Sequence, residues 1–270
     1  MAAELKTYEA AAASIEETLE KMGLDYLDQM IIHAPQPWNE FRDTKRYFAE
    51  NKAVWRALED AQAAGKVRVI GVSNFLQDDL ENLLSDCRIQ PMVNQILLHI
   101  SNTDHDLLNF CREQHIQVEA YSPIAHGEAL KNPVIAQMAK KYGVSAAQLC
   151  VRYVLQLGAV ALPKTADPQH MEENAAVDFV LTPEDMAALM QMEHITDYGE
   201  FSFFPGVQRE KSRSKRFTRK GRGTTMAVKQ TAGRDALGEF APKFAELNDE
   251  VLFGQVWSER INSPSGTAAL

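Results

Sequence analysis

From Leu27 to Pro163 the apolar pattern switches repeatedly between short β-branched runs and longer runs at helical spacing, and no other feature restricts the fold as strongly. Alternating strand and helix patterns are what βαβ units write into a sequence, and they imply a parallel sheet covered by helices. The expected strands are Asp28–Ala34, Val67–Val72, Met92–Leu97, Ile116–Tyr121 and Ala159–Leu162. Each is nearly continuous in apolar residues, so burial on both faces is expected. Helices are expected over Tyr8–Met22, Ala49–Ala64, Gln77–Ser85, Asp104–Gln114, Asn132–Lys141 and Ala146–Gln156. Gly23, Gly65 and Gly158 stand where three of them end, as left-handed terminators should. Thr182-Pro183-Glu184-Asp185 carries the cap, the first-turn proline and the early acids of a further helix.

After Gly206 this grammar stops, and charge divides the chain at the same place. Residues 1–208 carry 16 basic and 30 acidic side chains, residues 209–222 carry 8 and 1, and residues 223–270 carry 4 and 6, so the net charge of −9 is a sum of unlike parts. Three pieces are expected: an α/β unit over 1–206, a basic linker over 207–225, and a short helical extension over 226–270. Eight cations in Arg209–Arg222 suffice for salt-dependent phosphate binding, yet Phe217 is the one aromatic there to stack on a base, so a solvated linker is expected and nucleic acid is not. No apolar run reaches the roughly eighteen residues of a membrane span. Three widely spaced cysteines, Cys87, Cys111 and Cys150, offer neither a disulfide framework nor a metal motif. With no secretory pattern in Met1–Thr7, a cytoplasmic protein without a metal site is expected.

In parallel α/β folds the working side chains stand at the carboxyl ends of the strands, where loops vary while the sheet stays rigid. Those ends here read His33, Ser73-Asn74, Asn94-Gln95, Tyr121-Ser122 and Lys164-Thr165. A nicotinamide needs donors and acceptors for its carboxamide and a flat cover for one face; Ser73, Asn74 and Gln95 suit the first and Tyr121 the second. A phosphate needs a cation and hydroxyl or backbone donors, which Lys164-Thr165 before a helix over Pro168–Asn174 would supply. Singly, each residue has a plain structural explanation as a satisfied core tyrosine, a turn or cap, or a core histidine. All five in order at successive strand ends point to a dinucleotide site.

Over residues 5–205 the sequence resembles the aldo-keto reductase family. The resemblance rests on LEKMGLDYLDQMIIHAP, GKVRVIGVSNF, NQILLH, AYSPI and LPKTADPQHMEEN, several of them long and family-specific. It implies a (β/α)8 TIM barrel and NADP(H)-dependent interconversion of small aldehydes or ketones with alcohols. His33 would orient the substrate carbonyl, Ser73, Asn74 and Gln95 would bind the carboxamide, and Tyr121 would stack on the ring, with Ser122 and Ile124 of the same segment also at the cofactor. Lys164 and Thr165 would bind the adenosine 2′-phosphate, and Glu173 and Asn174 would lie at the adenine. His170 stands where many members place an arginine, which weakens the preference for NADPH over NADH.

The family's tyrosine acid and the lysine and aspartate that tune it lie on segments before the strand that ends in His33. Only five barrel strands can be counted from Leu27, so the resemblance implies a barrel lacking about its first three strands and impaired turnover, or else an inactive NADPH-binding fragment. Lys6 and Tyr8 are expected at a solvated helix terminus. Two open sheet edges imply self-association. Residues 226–260 resemble the start of the carboxymuconolactone decarboxylase family, a small all-helical group of oligomers. A fusion of two adjacent genes through the basic linker is the simplest expectation, with the C-terminal helices a second route to self-association. The loop Gln36–Arg46, with Trp38 and Phe41, suggests an apolar wall for the substrate, to which Phe201, Phe203 and Phe204 would add.

Overall fold

Five parallel strands pair in chain order: β1 (Leu27–Ile32), β2 (Val67–Ser73), β3 (Val93–Leu97), β4 (Gln117–Tyr121) and β5 (Val160–Leu162). They belong to a computed structural model of the chain that describes residues 1–202. The basic linker, the helical extension over 226–270, and Phe203 and Phe204 lie outside the described residues.

Each helix forms where its local chemistry allows. α1 (Tyr8–Met22) starts on Thr7, whose hydroxyl accepts from the Ala10 N–H, and stops at Gly23 with φ of 62°. α2 (Phe48–Ala63), α3 (Gln77–Leu84) and α4 (His105–Glu113) connect β1 to β2, β2 to β3 and β3 to β4. α5 (Pro133–Tyr142) and α6 (Ala146–Gln156) lie between β4 and β5; Asn132 caps the first ahead of an N1 proline, and Ser145 with Gln148 forms a capping box on the second. α7 (Pro168–Ala175) and α8 (Pro183–Met190) follow β5.

Crossovers between neighbouring parallel strands are right-handed, so strands taken in sequential order carry their helices on one side of the sheet. The apolar stripes of those helices meet that side: Ile15 and Leu19 of α1, Trp55 and Leu58 of α2, and Leu80 and Leu83 of α3 are buried with Ile70 and Val72 of β2. Asn94 of β3 also turns this way and is fully buried, its Nδ2 donating to the Phe75 carbonyl at 3.0 Å. The opposite face is mixed, with a polar cluster beside Ile31 and Val93. Gln29 of β1 and Gln95 of β3 both donate to Glu119 Oε2 of β4, at 3.0 and 2.9 Å.

The expected burial of every strand on both faces fails at the edges. Asp28 and Gln29 of β1 are exposed, and β5 leaves Val160 44% and Leu162 38% exposed. Each of these strands has a single neighbour, whereas β2, β3 and β4 lie between two. At the centre, β2 and β3 approach so closely that a Cβ on Gly71 would sit 2.2 Å from Val93 Cγ2 and 2.7 Å from its carbonyl oxygen. Gly71 is therefore a packing requirement, two residues before the strand end that carries Ser73 and Asn74.

Candidate active site

Hydrogen bonds gather four of the expected residues into one network at the carboxyl ends of β1 to β4. Asn74 follows β2 with a left-handed φ of 59°, a conformation that asparagine tolerates better than most side chains. Its Nδ2 donates to the His33 carbonyl at 3.2 Å and to Ser73 Oγ at 3.0 Å, and its Oδ1 accepts from the Tyr121 hydroxyl at 2.9 Å. Ser73 Oγ in turn donates to the Gln95 carbonyl at 2.9 Å. Ser73 and Asn74 are buried, while His33 and Tyr121 are half-buried. The His33 ring stands edge-on to Trp38, with centroids 5.0 Å apart. Burial pushes the Tyr121 phenol well above its ordinary pKa, against a smaller opposing pull from the Arg42 cation, so it remains a donor to Asn74 at neutral pH.

Gln95 joins this network through its backbone alone, because its side chain is engaged with Glu119. The sequence places a carboxamide contact at Gln95; in the structure its amide nitrogen already has an acceptor. Ser122, also left-handed at φ of 50°, pairs through Oγ with His126 Nε2 at 3.1 Å. Ile124 packs partly buried against the core. His126 stacks on Phe201 at 4.7 Å, so Phe201 lies against the loop after β4.

The expected phosphate end is arranged differently from its sequence reading. Thr165 Oγ1 accepts from the Asp167 N–H at 3.1 Å, and Asp167 Oδ1 accepts from the N–H groups of Gln169 and His170. The start of α7 is thus capped by a carboxylate, and these backbone donors are not open to a phosphate as expected. Lys164, Thr165, Glu173 and Asn174 remain at or near the surface; Glu173 Oε1 accepts from Gln169 Nε2 at 2.8 Å. His170 is exposed.

Two further expectations need correction. Lys6 is no solvated helix terminus: its Nζ donates to the Pro35 carbonyl at 3.0 Å, to the Ala34 carbonyl at 3.4 Å and to Asn51 Oδ1 at 2.8 Å, just beyond β1. Burial outweighs the nearby carboxylates Glu4, Glu50 and Asp79 and brings its pKa down to about 8. Tyr8 does stay at the surface, donating to Asp60 at 3.0 Å. Trp38 and Phe41 form no substrate wall, since both are buried in a small cluster with Ala3 and Ala34. What the loop presents instead is Arg42, which lines a cleft of about 870 Å³ together with Asn74, Leu97, Asn102 and His194. Nothing in the sequence singled out Arg42; its one distinguishing signal is a cation beside a buried aromatic in the loop after β1.

The chain matches the Aldo/keto reductase family over residues 1–194. It is 43% identical over 180 residues to the glyoxal reductase of Bacillus subtilis (strain 168), covering 66% of this chain and 61% of that protein. It is 38% identical over 205 residues to the 9,11-endoperoxide prostaglandin H2 reductase of Trypanosoma cruzi (strain CL Brener), covering 74% and 69%. Among solved structures, a Bombyx mori aldo-keto reductase in complex with NADP superposes with a TM-score of 0.63 at 29% identity, covering 77% of this chain and 71% of that one. The five parallel strands are thus strands of the (β/α)8 fold, and the chain spans about three fifths of the length of the first curated relatives it matches, 61% and 60%.

Proposed function

Because the chain belongs to the aldo/keto reductase family, we propose that it serves NADP(H)-dependent interconversion of a small aldehyde or ketone with its alcohol. The observation that carries this reading is the network joining His33, Ser73, Asn74 and Tyr121 across four successive strand ends. It supplies fixed polar groups beside a half-buried flat ring, which is what a nicotinamide carboxamide and ring face require. The residues fit that group at the ring end, where Ser73, Asn74 and Tyr121 would hold it with Ser122 and Ile124, and Gln95 would join them on releasing Glu119. At the adenosine end Lys164 and Thr165 would meet the 2′-phosphate, with Glu173 and Asn174 at the adenine and no contribution from the capped start of α7.

When bound, the nicotinamide supplies the hydride. The chain's own residues prepare the geometry around it. Asn74, pinned through three side-chain contacts, has no rotamer to search on binding. Tyr121, fixed through its hydroxyl, offers a ring face at low entropic cost. His33 would orient a carbonyl from the end of β1, where its main-chain oxygen accepts from Asn74. The small dicarbonyl named for the Bacillus relative makes glyoxal and related aldehydes the first substrates to try.

A second reading, cofactor binding without turnover, is favoured by the strand-end network itself, in which the hydroxyl of Tyr121 is committed to Asn74 Oδ1. Titrating the full chain with NADPH while following protein fluorescence, then following loss of NADPH with a panel of aldehydes, separates the two. Saturable binding with turnover supports the reductase, saturable binding alone supports the second reading, and no binding of NADPH or NADH overturns both.

The three-piece organisation, with the α/β unit over 1–206, the linker over 207–225 and the helical extension over 226–270, belongs to the same proposal. So does self-association through the β1 and β5 edges, supported by the exposed Val160 and Leu162. Among the described residues no helix is long and apolar enough to cross a membrane. A cytoplasmic setting is supported by the free thiols of Cys87, Cys111 and Cys150.

A further inference from the structure

Arg42 lies in the loop after β1 with a left-handed φ of 64°, and its guanidinium sits 4.4 Å from the Phe41 ring centroid. It lines the cleft of about 870 Å³ that Asn74 also lines. Among the described residues no carboxylate pairs with this guanidinium and no acceptor takes its N–H groups. Arg46, four residues on, is in contrast committed to Asp78 at 2.6 Å and to Asp79. Burial lowers the pKa of Arg42, with Asp79 and Tyr121 close enough to act on it in the opposite sense, yet an arginine stays charged. A half-buried cation with five donors and no acceptor is costly unless something else supplies the acceptor.

The acids of the cleft do not fill that role. Asp43, Asp104 and Asp106 also line it but are exposed, where solvent and salt screen them. Asp104 accepts from the Leu107 N–H as the cap of α4. The open valence is therefore at Arg42, in a cleft that Asn74 also lines. A planar guanidinium matches carboxylate and phosphate with paired hydrogen bonds.

We propose that Arg42 anchors an anionic group, carboxylate or phosphate, of a small carbonyl compound in this cleft, so that the substrate class is an acidic aldehyde or ketone. The proposal rests on the carbonyl-reductase reading for the word carbonyl, and on Arg42 and the cleft for the charge.

Calorimetric titration of the full chain with 4-carboxybenzaldehyde, 4-formylphenyl phosphate and neutral 4-formylbenzamide tests it, with and without NADPH. At least one anion is expected to bind about tenfold more tightly than the amide, as a charge-assisted pair should. Which anion wins tells carboxylate from phosphate. In Arg42→Met the preference disappears while the amide binds as before, and Arg42→Lys keeps part of it, with melting curves confirming that both variants fold. Equal binding of anions and amide, no binding of either anion, or a preference that survives Arg42→Met overturns the proposal. A preference lost in Arg46→Met and kept in Arg42→Met does so too. Failure of NADPH to bind while the anion preference persists sinks the reductase reading and leaves the anion site standing.

Discussion

The Tyr121 hydroxyl donates to Asn74 Oδ1 at 2.9 Å and so ties the end of β4 to the end of β2 across the strand between them. On the proposed reading the bond fixes two residues with different tasks, a polar group for a carboxamide and a ring for its face. Removing either partner therefore tests structure and binding together.

Asn74→Ala loses three side-chain contacts and puts a Cβ without compensating polarity at φ of 59°. It should cost about 2 kcal/mol or more by denaturant unfolding, and Asn74→Gly should cost less because the backbone strain is relieved. Equal losses in the two variants would show that the left-handed backbone is not what asparagine serves here.

Tyr121→Phe keeps the ring and loses the hydroxyl, so a stability loss of about 1 kcal/mol is expected with NADPH binding retained. Tyr121→Ala should abolish that binding. Because burial raises the folded-state pKa of this phenol, its contribution is complete below the unfolded value of about 10 and falls as pH rises beyond it. Wild type should lose stability in that range by more than Tyr121→Phe does, measured by melting at a series of alkaline pH values.

Lys6 titrates at about 8 in the fold and near 10.4 when unfolded, so the native state binds fewer protons than the unfolded chain between those values. Its linkage term therefore makes stability rise with pH across that window. Lys6→Met removes the term, and the difference in stability between wild type and variant should shift in favour of wild type from pH 8 to 10. A difference that does not change with pH would mean that the ammonium is not desolvated.

Glu59 of α2 is buried at 1% exposure and accepts from the N–H groups of Arg88 and Ile89, at 2.5 and 2.9 Å, and from the side chains of Arg56 and Arg88. Burial alone would raise its pKa, but the Ile89 N–H and the two guanidinium groups overcome this and hold it below the ordinary value. Its stabilisation is present above the unfolded pKa of about 4.3 and is lost as pH falls through the depressed folded value. Glu59→Gln should cost about 3 kcal/mol at neutral pH and flatten the acid limb of a pH–stability curve.

Gly71→Ala forces a methyl to within 2.2 Å of Val93 Cγ2. The central β2–β3 pairing must spread, and a loss of about 2 to 3 kcal/mol or an insoluble product is expected. Expression and melting of this variant beside Gly65→Ala, where no atom lies within 4 Å of the added Cβ but φ is 75°, compare crowding inside a sheet with left-handed strain at a helix end.

Periodicity and punctuation made the framework legible. α1 and α6 have the boundaries read from the sequence, and the five strands fall within two residues of theirs. Thr7, Asn132, Ser145 and Thr182 cap helices through bonds to residues two or three positions away, so the neighbouring sequence suffices to foresee them. The grouping of His33, Ser73, Asn74 and Tyr121 was legible too, because parallel strands bring their carboxyl ends to one edge.

By itself the sequence determined a parallel α/β sheet, the order of its elements and the strand ends that carry polar residues, since these follow from spacing along one segment. Only the tertiary structure decided the environments. It buried Lys6 against Asn51, drew the Gln95 amide to Glu119, capped α7 with Asp167, hid Trp38 and Phe41 and left Arg42 lining a cleft. Most of these outcomes depend on partners tens of residues away, and the cap depends on a carboxylate competing for the same donors as a phosphate. Residue type states what a side chain can do; burial and the neighbours supplied by the fold select which of those capacities is used.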